Sequence, residues 1–309
     1  MRPDSGEPLE HLAVPYGADE GFRDLALPHI RQALAKGTQV LVVARQALRD
    51  LLAGALGADH DRVDERDPAS WYGHPQRTLA DCHDYARGRR TLLVGEPRWA
   101  GRSEIETREW IRYESVINTA LAGAHATALC FYDTRTAPEN VLRSAWMTHP
   151  LLIGPDGLLP SPHFVSPDRL VLNGDRAPLP EPTGPVRETR FTAESLKELR
   201  HTVTGYAQAA GMGGDQATSL VLSVSEIAAN SVEHGAGHGL VRMWTNETGV
   251  VCEISDSGGR LEDPLPGYIP PEPESQRGYG LWISRQLCDL VELRSQDGLL
   301  RVRLHMRLR

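Results

Sequence analysis

The chain has 309 residues, with 33 Lys plus Arg against 41 Asp plus Glu and a formal net charge of −8. That length exceeds one hydrophobic core and predicts two domains of roughly 100–200 residues each, while the acidic balance argues against nucleic acid as the main partner. No run approaches the roughly 18–20 apolar residues of a membrane span, and the first thirty residues carry acids and prolines where a signal peptide needs an apolar core. Cys82, Cys130, Cys252 and Cys288 are scattered, without the local spacing of a zinc site or a disulfide framework. These features predict a soluble, cytoplasmic protein.

In chain order, residues 39–44 (QVLVVA), 90–95 (RTLLVG) and 126–133 (ATALCFYD) are apolar runs of strand length, and 104–123 has helical spacing. Uniformly apolar strands separated by helix-containing connections predict an α/β domain whose parallel sheet is covered on both faces. No G-x-x-x-x-G-K-[ST] occurs, although ALCFYD ends in an acidic residue, Asp133, so this half reads as a P-loop-type scaffold without its phosphate cradle. Residues 173–188 (NGDRAPLPEPTGPVRE) hold four prolines and two glycines and almost no large apolar side chain, the composition of a linker. The expected division is 8–170, a linker over 171–188, and 189–309.

Beyond the linker the expected order is helices first, then strands. Residues 192–211 and 215–235 read as two helices, each closing at a glycine. A hairpin turns about Glu247 and Thr248, and a second at Asp297-Gly298. In the last strand Val302, Leu304 and Met306 alternate with Arg301, Arg303, His305 and Arg307, which predicts one face in the core and a basic face in water. This half is expected to be α+β, with helices packed on a mixed, mainly antiparallel sheet.

Within the second helix the stretch SEIAANSVEHG spaces Glu226, Asn230 and His234 four residues apart, beside the apolar stripe of Leu220, Val224 and Ile227. Such a line borders the buried face and can wall a pocket. Asn230 can offer a carboxamide oxygen to Mg²⁺, and Glu226 one turn earlier can orient or deprotonate a nucleophile beside it. EISDSGG (253–259) is a strand ending in Asp256 before a glycine turn, a geometry that presents a carboxylate to an exocyclic amine. RGYGLWISRQLCD (277–289) places Gly278 and Gly280 before a helix whose N-terminus suits an anion. Residues 260–276 between them are rich in Pro and Glu, as lids often are.

Taken in order, EIAANSVEHG, DSGG and RGYGLWISRQLCD resemble the N, G1 and G2 boxes of the GHKL, or Bergerat-fold, ATPases, and within them the anti-sigma-factor serine kinases. The resemblance covers about 189–309. It implies ATP and Mg²⁺ as cofactors, Glu226 as catalytic base or its positioner, and Asn230 as metal ligand. By the same resemblance Asp256 contacts adenine, Gly258, Gly278, Gly280 and the adjacent Leu281 hold nucleotide, and His234 caps its helix. The family's first glycine box usually reads D-x-G-x-G; Arg260 stands at its second glycine, a change that bears on turnover more than on binding.

HLAVPYGADEGF (11–22), LLVGEPRW (92–99), EWIRYESVINTAL (109–121), LCFYD (129–133) and THP (148–150) resemble the MEDS sensory domain, named for methanogen and methylotroph regulators. Candidate pocket residues there are His11, Tyr16, Glu96, Trp99, Glu114, Tyr132, Asp133 and His149, each of which core packing or capping would also explain. Trp110 and Tyr113 read as core. The combined resemblance implies that a small-molecule sensor controls a serine/threonine kinase acting on a STAS-type antagonist, a sigma factor or both. Two other readings stay open: an ATP-binding switch without phosphoryl transfer, and a histidine kinase using His201. The sensed ligand, the target and the oligomeric state, including a homodimer, are not legible.

Overall fold

The computed structural model describes residues 9–154, 157–174, 177–258, 263, 265–271, 278–296 and 298–308. It separates into two compact units, Met1–Leu170 and Val171–Arg309. Among the described residues no helix is long and apolar enough to cross a membrane.

The first unit runs β1 (Glu10–Tyr16), α1 (Asp19–Ala35), β2 (Gln39–Val43), α2 (Gln46–Leu56), β3 (Asp64–Arg66), α3 (Pro68–Trp71), α4 (Pro75–Ala86), β4 (Thr91–Gly95), α5 (Glu104–Ala120), β5 (Ala126–Asp133), α6 (Glu139–Thr148), β6 (Leu151–Gly154) and β7 (Gly157–Pro160). Its sheet has the order β3-β2-β4-β5-β1-β6-β7, parallel throughout except for the β6–β7 hairpin. β2, β4 and β5 fall where their apolar runs predicted them. β1 lies inside the sheet, between β5 and β6, although Pro15 interrupts its run, and Pro15 is tolerated because the β6 ladder on that side stops at Ala13. Helix α5 starts at a capping box in which Ser103 and Glu106 satisfy each other's backbone N–H groups. One core joins Leu12, Val14, Phe22, Val40, Val42, Leu129 and Phe131, so α1 and α2 cover one face of the sheet.

Helix α7 (Pro167–Gly174) contains the division between units. The second unit then runs β8 (Arg187–Thr192), α8 (Leu196–Ala209), α9 (Gly214–His234), β9 (His238–Thr245), β10 (Gly249–Asp256), α10 (Tyr279–Leu287), β11 (Leu290–Gln296) and β12 (Leu299–Arg307). A strand therefore precedes the two helices, contrary to the expected order. The sheet has the order β11-β12-β10-β9-β8, and every pairing is antiparallel. Leu199, Val203, Leu220, Val224 and Ile227 from α8 and α9 meet Val241, Met243, Cys252, Ile254, Val302 and Leu304 in one core. Gly211 after α8 takes the left-handed conformation (φ 86°) of a helix-ending glycine. Asp297 of the expected turn lies outside the described residues, beside Gly298 (φ 76°).

The face of this sheet away from the helices is charged; Arg307 at its end is exposed and Arg301 and His305 are partly so, but its middle is not in water. Arg303 is 3% exposed and donates from Nε and Nη2 to Glu253 Oε2 at 3.0 and 2.6 Å. His305 Nε2 meets Glu292 Oε2 at 3.0 Å. The acids come from neighbouring strands in register, Glu253 opposite both Arg303 and Arg242, and Glu292 opposite Arg303. Residues 177–181, in the stretch expected to be linker, cover the face: Leu179 is buried, Pro180 O accepts from Arg303, Ala177 O accepts from Arg294, and Glu181 pairs with Arg242 and Arg301. Alternation located the apolar face correctly; Arg303, at the middle of the polar face, is out of solvent because matched acids and a covering segment satisfy its charge.

Candidate functional site

Helix α9 carries the polar line. Glu226 is half-buried, Asn230 exposed and His234 exposed, so the line leaves the core at the helix's C-terminal end. His234 does not cap the helix. Its ring stands beside Glu233 at 3.9 Å, and the end is closed by backbone, with Gly235 N and Gly237 N both donating to Ser231 O. Gly235 has φ −100°, so its role is room rather than left-handed geometry. A β-carbon there would lie 2.6 Å from Asp256 Oδ1.

Asp256, the last residue of β10, is 4% exposed and accepts from Gly258 N at 3.0 Å, which tightens the turn leaving the strand. A β-carbon on Gly258 would meet Ala236 N at 2.6 Å. Two glycines thus let the end of α9 and the turn after β10 close around one buried carboxylate.

Helix α10 begins at Gly278, whose φ of 91° is left-handed, and Gly280 within its first turn is buried. A β-carbon on Gly280 would lie 2.9 Å from Asn230 Nδ2 and 3.3 Å from Glu226 Oε2. The N-terminus of α10 therefore abuts the two residues of α9 expected to handle metal and nucleophile. The three motifs meet along the last turns of α9: Gly280 at Glu226 and Asn230, Asp256 and Gly258 at Gly235 and Ala236. Leu281 is half-buried against the core, and Gly267 packs against it closely enough that a β-carbon there would lie 2.7 Å from Leu281 C. Part of the expected lid is anchored: Tyr268 is 2% exposed under the Arg285 guanidinium, which lies 3.8 Å from its ring and whose Nε donates to Pro266 O. Gly259, Arg260 and Arg277 lie outside the described residues. His201 is exposed on α8.

Residues 189–306 match the family model of the histidine kinase-like ATPase domain, and residues 10–150 that of MEDS, the methanogen/methylotroph DcmR sensory domain. The chain joins a MEDS domain to a histidine kinase-like ATPase domain. A solved structure of the RsbU and RsbW domains of a Mycobacterium tuberculosis protein is similar at 17% identity, with a TM-score of 0.31 over 40% of this chain and 32% of that one, so this chain spans about a third of that structure. No curated protein matches.

In the MEDS domain the expected pocket residues fall into two groups. Tyr16, Glu96, Trp99 and Asp133 stand at or beyond the C-terminal ends of β1, β4 and β5, around a crevice of about 630 Å³ that Glu96, Trp99 and Asp133 help to line. Tyr16 OH donates to Glu96 Oε1 at 2.5 Å, Arg45 N donates to Glu96 Oε2, and the Arg45 guanidinium reaches Asp19 at 2.6 Å. Arg135 bridges Asp19 and Asp133, both at 2.7 Å. Hydrogen bonds from Arg45 and then Arg135 hold the Asp19 carboxyl down at about 2, and burial followed by the bond to Glu96 raises the Tyr16 phenol. Asp19, Arg45 and Arg135 were not expected; a charged residue just past each apolar strand was the available sign.

His11, Glu114 and His149 form the second group, together with Cys130. Tyr132 joins the groups, stacked on Trp99 with centroids 6.1 Å apart and edge-on to His149 at 5.7 Å. Trp110 and Tyr113 are core, as expected.

Proposed function

We propose that the chain is a cytoplasmic signalling regulator in which the MEDS domain senses a small molecule and controls an ATP-dependent serine/threonine kinase domain of the anti-sigma type. Its targets are a STAS-type antagonist, a sigma factor or both, and its output is transcription regulation. The observation that carries the reading is the seating of Gly280 against Glu226 and Asn230. A side chain there would fill the space between the α10 N-terminus and the two polar residues, which is where an anionic phosphate chain and its cation need room.

The residues fit ATP and Mg²⁺. Asn230 would hold Mg²⁺, which when bound neutralises phosphate charge. Asp256 would accept from the adenine amine, while Gly258, Gly278, Gly280 and Leu281 line the nucleotide's path. Glu226, half-buried and beside Asn230 across Gly280, orients or activates the attacking hydroxyl. Catalysis then rests on positioning and charge neutralisation. The MEDS sheet, in this proposal, is a P-loop-type scaffold in which no phosphate cradle follows β1, leaving the crevice at the strand ends for the sensed ligand.

Arg260, at a glycine position of the first glycine box, favours a second reading in which ATP gates partner binding without phosphoryl transfer. Incubation with labelled ATP and a STAS-domain partner separates the two: transfer to a serine or threonine, lost in Glu226→Gln, supports the kinase. Calorimetry with and without Mg²⁺ tests the pocket. Asn230→Ala is expected to abolish the Mg²⁺-dependent part of ATP affinity, and unchanged affinity would count against this placement.

A further inference from the structure

The second group of MEDS residues presents a chemical problem. His11 Nε2 lies 3.6 Å from Glu114 Oε2 and 3.3 Å from Cys130 Sγ, and His149 Nε2 lies 3.4 Å from the same Glu114 oxygen. All four ligand atoms lie within 4.8 Å of one another. Both histidine side chains are 0% exposed and that of Glu114 is 3% exposed. Among the described residues Glu114 Oε2 and His149 Nε2 have no hydrogen-bond partner. A buried carboxylate oxygen and imidazole nitrogen facing each other without a partner are costly unless something between them accepts their lone pairs.

The surrounding bonds place a proton on Nδ1 of each ring. Asn118 Nδ2 donates to Ser115 O and Thr148 O, so its Oδ1 is left as the acceptor for His11 Nδ1 at 3.1 Å. His149 Nδ1 lies 2.8 Å from Ala145 O, a carbonyl that can only accept. In its neutral form each imidazole therefore carries its one proton on Nδ1 and turns a bare Nε2 toward Glu114. Hydrogen bonds that fix the tautomer in this way are the usual support of a metal-ligating histidine.

We propose that His11, Glu114, Cys130 and His149 form a closed four-ligand site for Zn²⁺ inside the MEDS domain. Tetrahedral coordination at the usual Zn–N, Zn–O and Zn–S lengths separates neighbouring ligand atoms by about 3.3–3.6 Å, the range of the three separations above. Imidazole and thiolate select Zn²⁺ over Mg²⁺ or Ca²⁺, which prefer all-oxygen sets. Binding replaces the Cys130 S–H proton by the cation and releases that proton to solvent. The ligands come from β1, α5, β5 and the residue after α6, so the ion ties two helices to two neighbouring interior strands. With four protein ligands the site is a structural or sensing one and holds no position open for substrate. The site is independent of the ATP reading.

The test uses the full chain. Elemental analysis after dialysis is expected to give one Zn²⁺ per molecule, retained in Cys82→Ser and lost in Cys130→Ser and His149→Ala. After chelation, Co²⁺ titration of the wild-type chain should give equimolar binding with tetrahedral d–d bands and a sulfur-to-cobalt charge-transfer band. This measurement decides the matter even if a variant fails to fold. A wild-type chain that takes up neither Zn²⁺ nor Co²⁺, an octahedral cobalt spectrum without the sulfur band, or full zinc content in Cys130→Ser would each overturn the proposal.

Discussion

Each unit buries charge, and the two do so differently. On the outer face of the ATPase sheet the buried Arg303 gives two hydrogen bonds to Glu253 and a third to Pro180 O, so the pair is complete within the chain. In the MEDS domain Glu114 and His149 are as deeply buried yet turn unpartnered atoms toward each other. A completed pair needs nothing more and serves structure. An incomplete one marks a place where the protein has arranged ligands faster than it has satisfied them.

The largest expected effect turns the complete cluster into an incomplete one. Glu253→Ala strands Arg303 without its counter-ion and should destabilise the ATPase unit by about 3–5 kcal/mol. Calorimetry should show its transition falling while the MEDS transition stays in place. Next, a chain shortened to begin at residue 187 keeps all of β8 and every residue of the matched ATPase domain but loses Leu179 and the Pro180 carbonyl. It should be less stable than one beginning at residue 177 by about 2–3 kcal/mol, chiefly the burial of one leucine. Equal denaturant midpoints would mean that the covering segment does not complete the cluster.

Two glycines extend the contrast to the nucleotide site. In Gly258→Ala the new β-carbon meets backbone, and a cost of about 1–3 kcal/mol in folding is expected. In Gly280→Ala it meets the end of the Asn230 side chain, which can turn away, so stability should hold while ATP affinity falls about tenfold, or roughly 1.4 kcal/mol. The smallest effect belongs to Asp19, which is paired but partly solvated. Its carboxyl is held at about 2 against an ordinary 3.8, so its contribution is complete above pH 3.8 and is lost as pH falls toward 2. Asp19→Asn should remove that part of the acid limb, worth under about 1 kcal/mol once solvent screening is counted.

How much was legible depended on how far apart the cooperating residues lie. Glu226 and Asn230 share two turns of one helix, and the DSGG and RGYG stretches are continuous, so local pattern was enough to propose them as one site. The structure adds the reason for Gly235 and Gly258, which is close approach to Asp256. His11, Glu114, Cys130 and His149 are each an unremarkable residue in its own element, and only the parallel pairing of β1 with β5 under α5 brings them together. The middle of the ATPase sheet's outer face, at Arg303, was misread because alternation tells which side chains share a face but not what covers it. β8 was missed because its one buried side chain, Phe191, leaves no periodic pattern.

The place of β1 has a consequence for how the MEDS domain is made. It is the first strand in chain order among the described residues, yet Glu10 pairs with Thr127 and Leu12 with Leu151. At about 5–20 residues per second of synthesis, a ribosome needs roughly 6–23 s to deliver β5 after β1. For that interval the apolar His11–Tyr16 segment has no sheet to join, and closing so long a loop makes the pairing slow in any case. The MEDS sheet is therefore expected to close on β1 only after β5 has been made, and the yield of this domain is expected to fall when chaperones are depleted during translation.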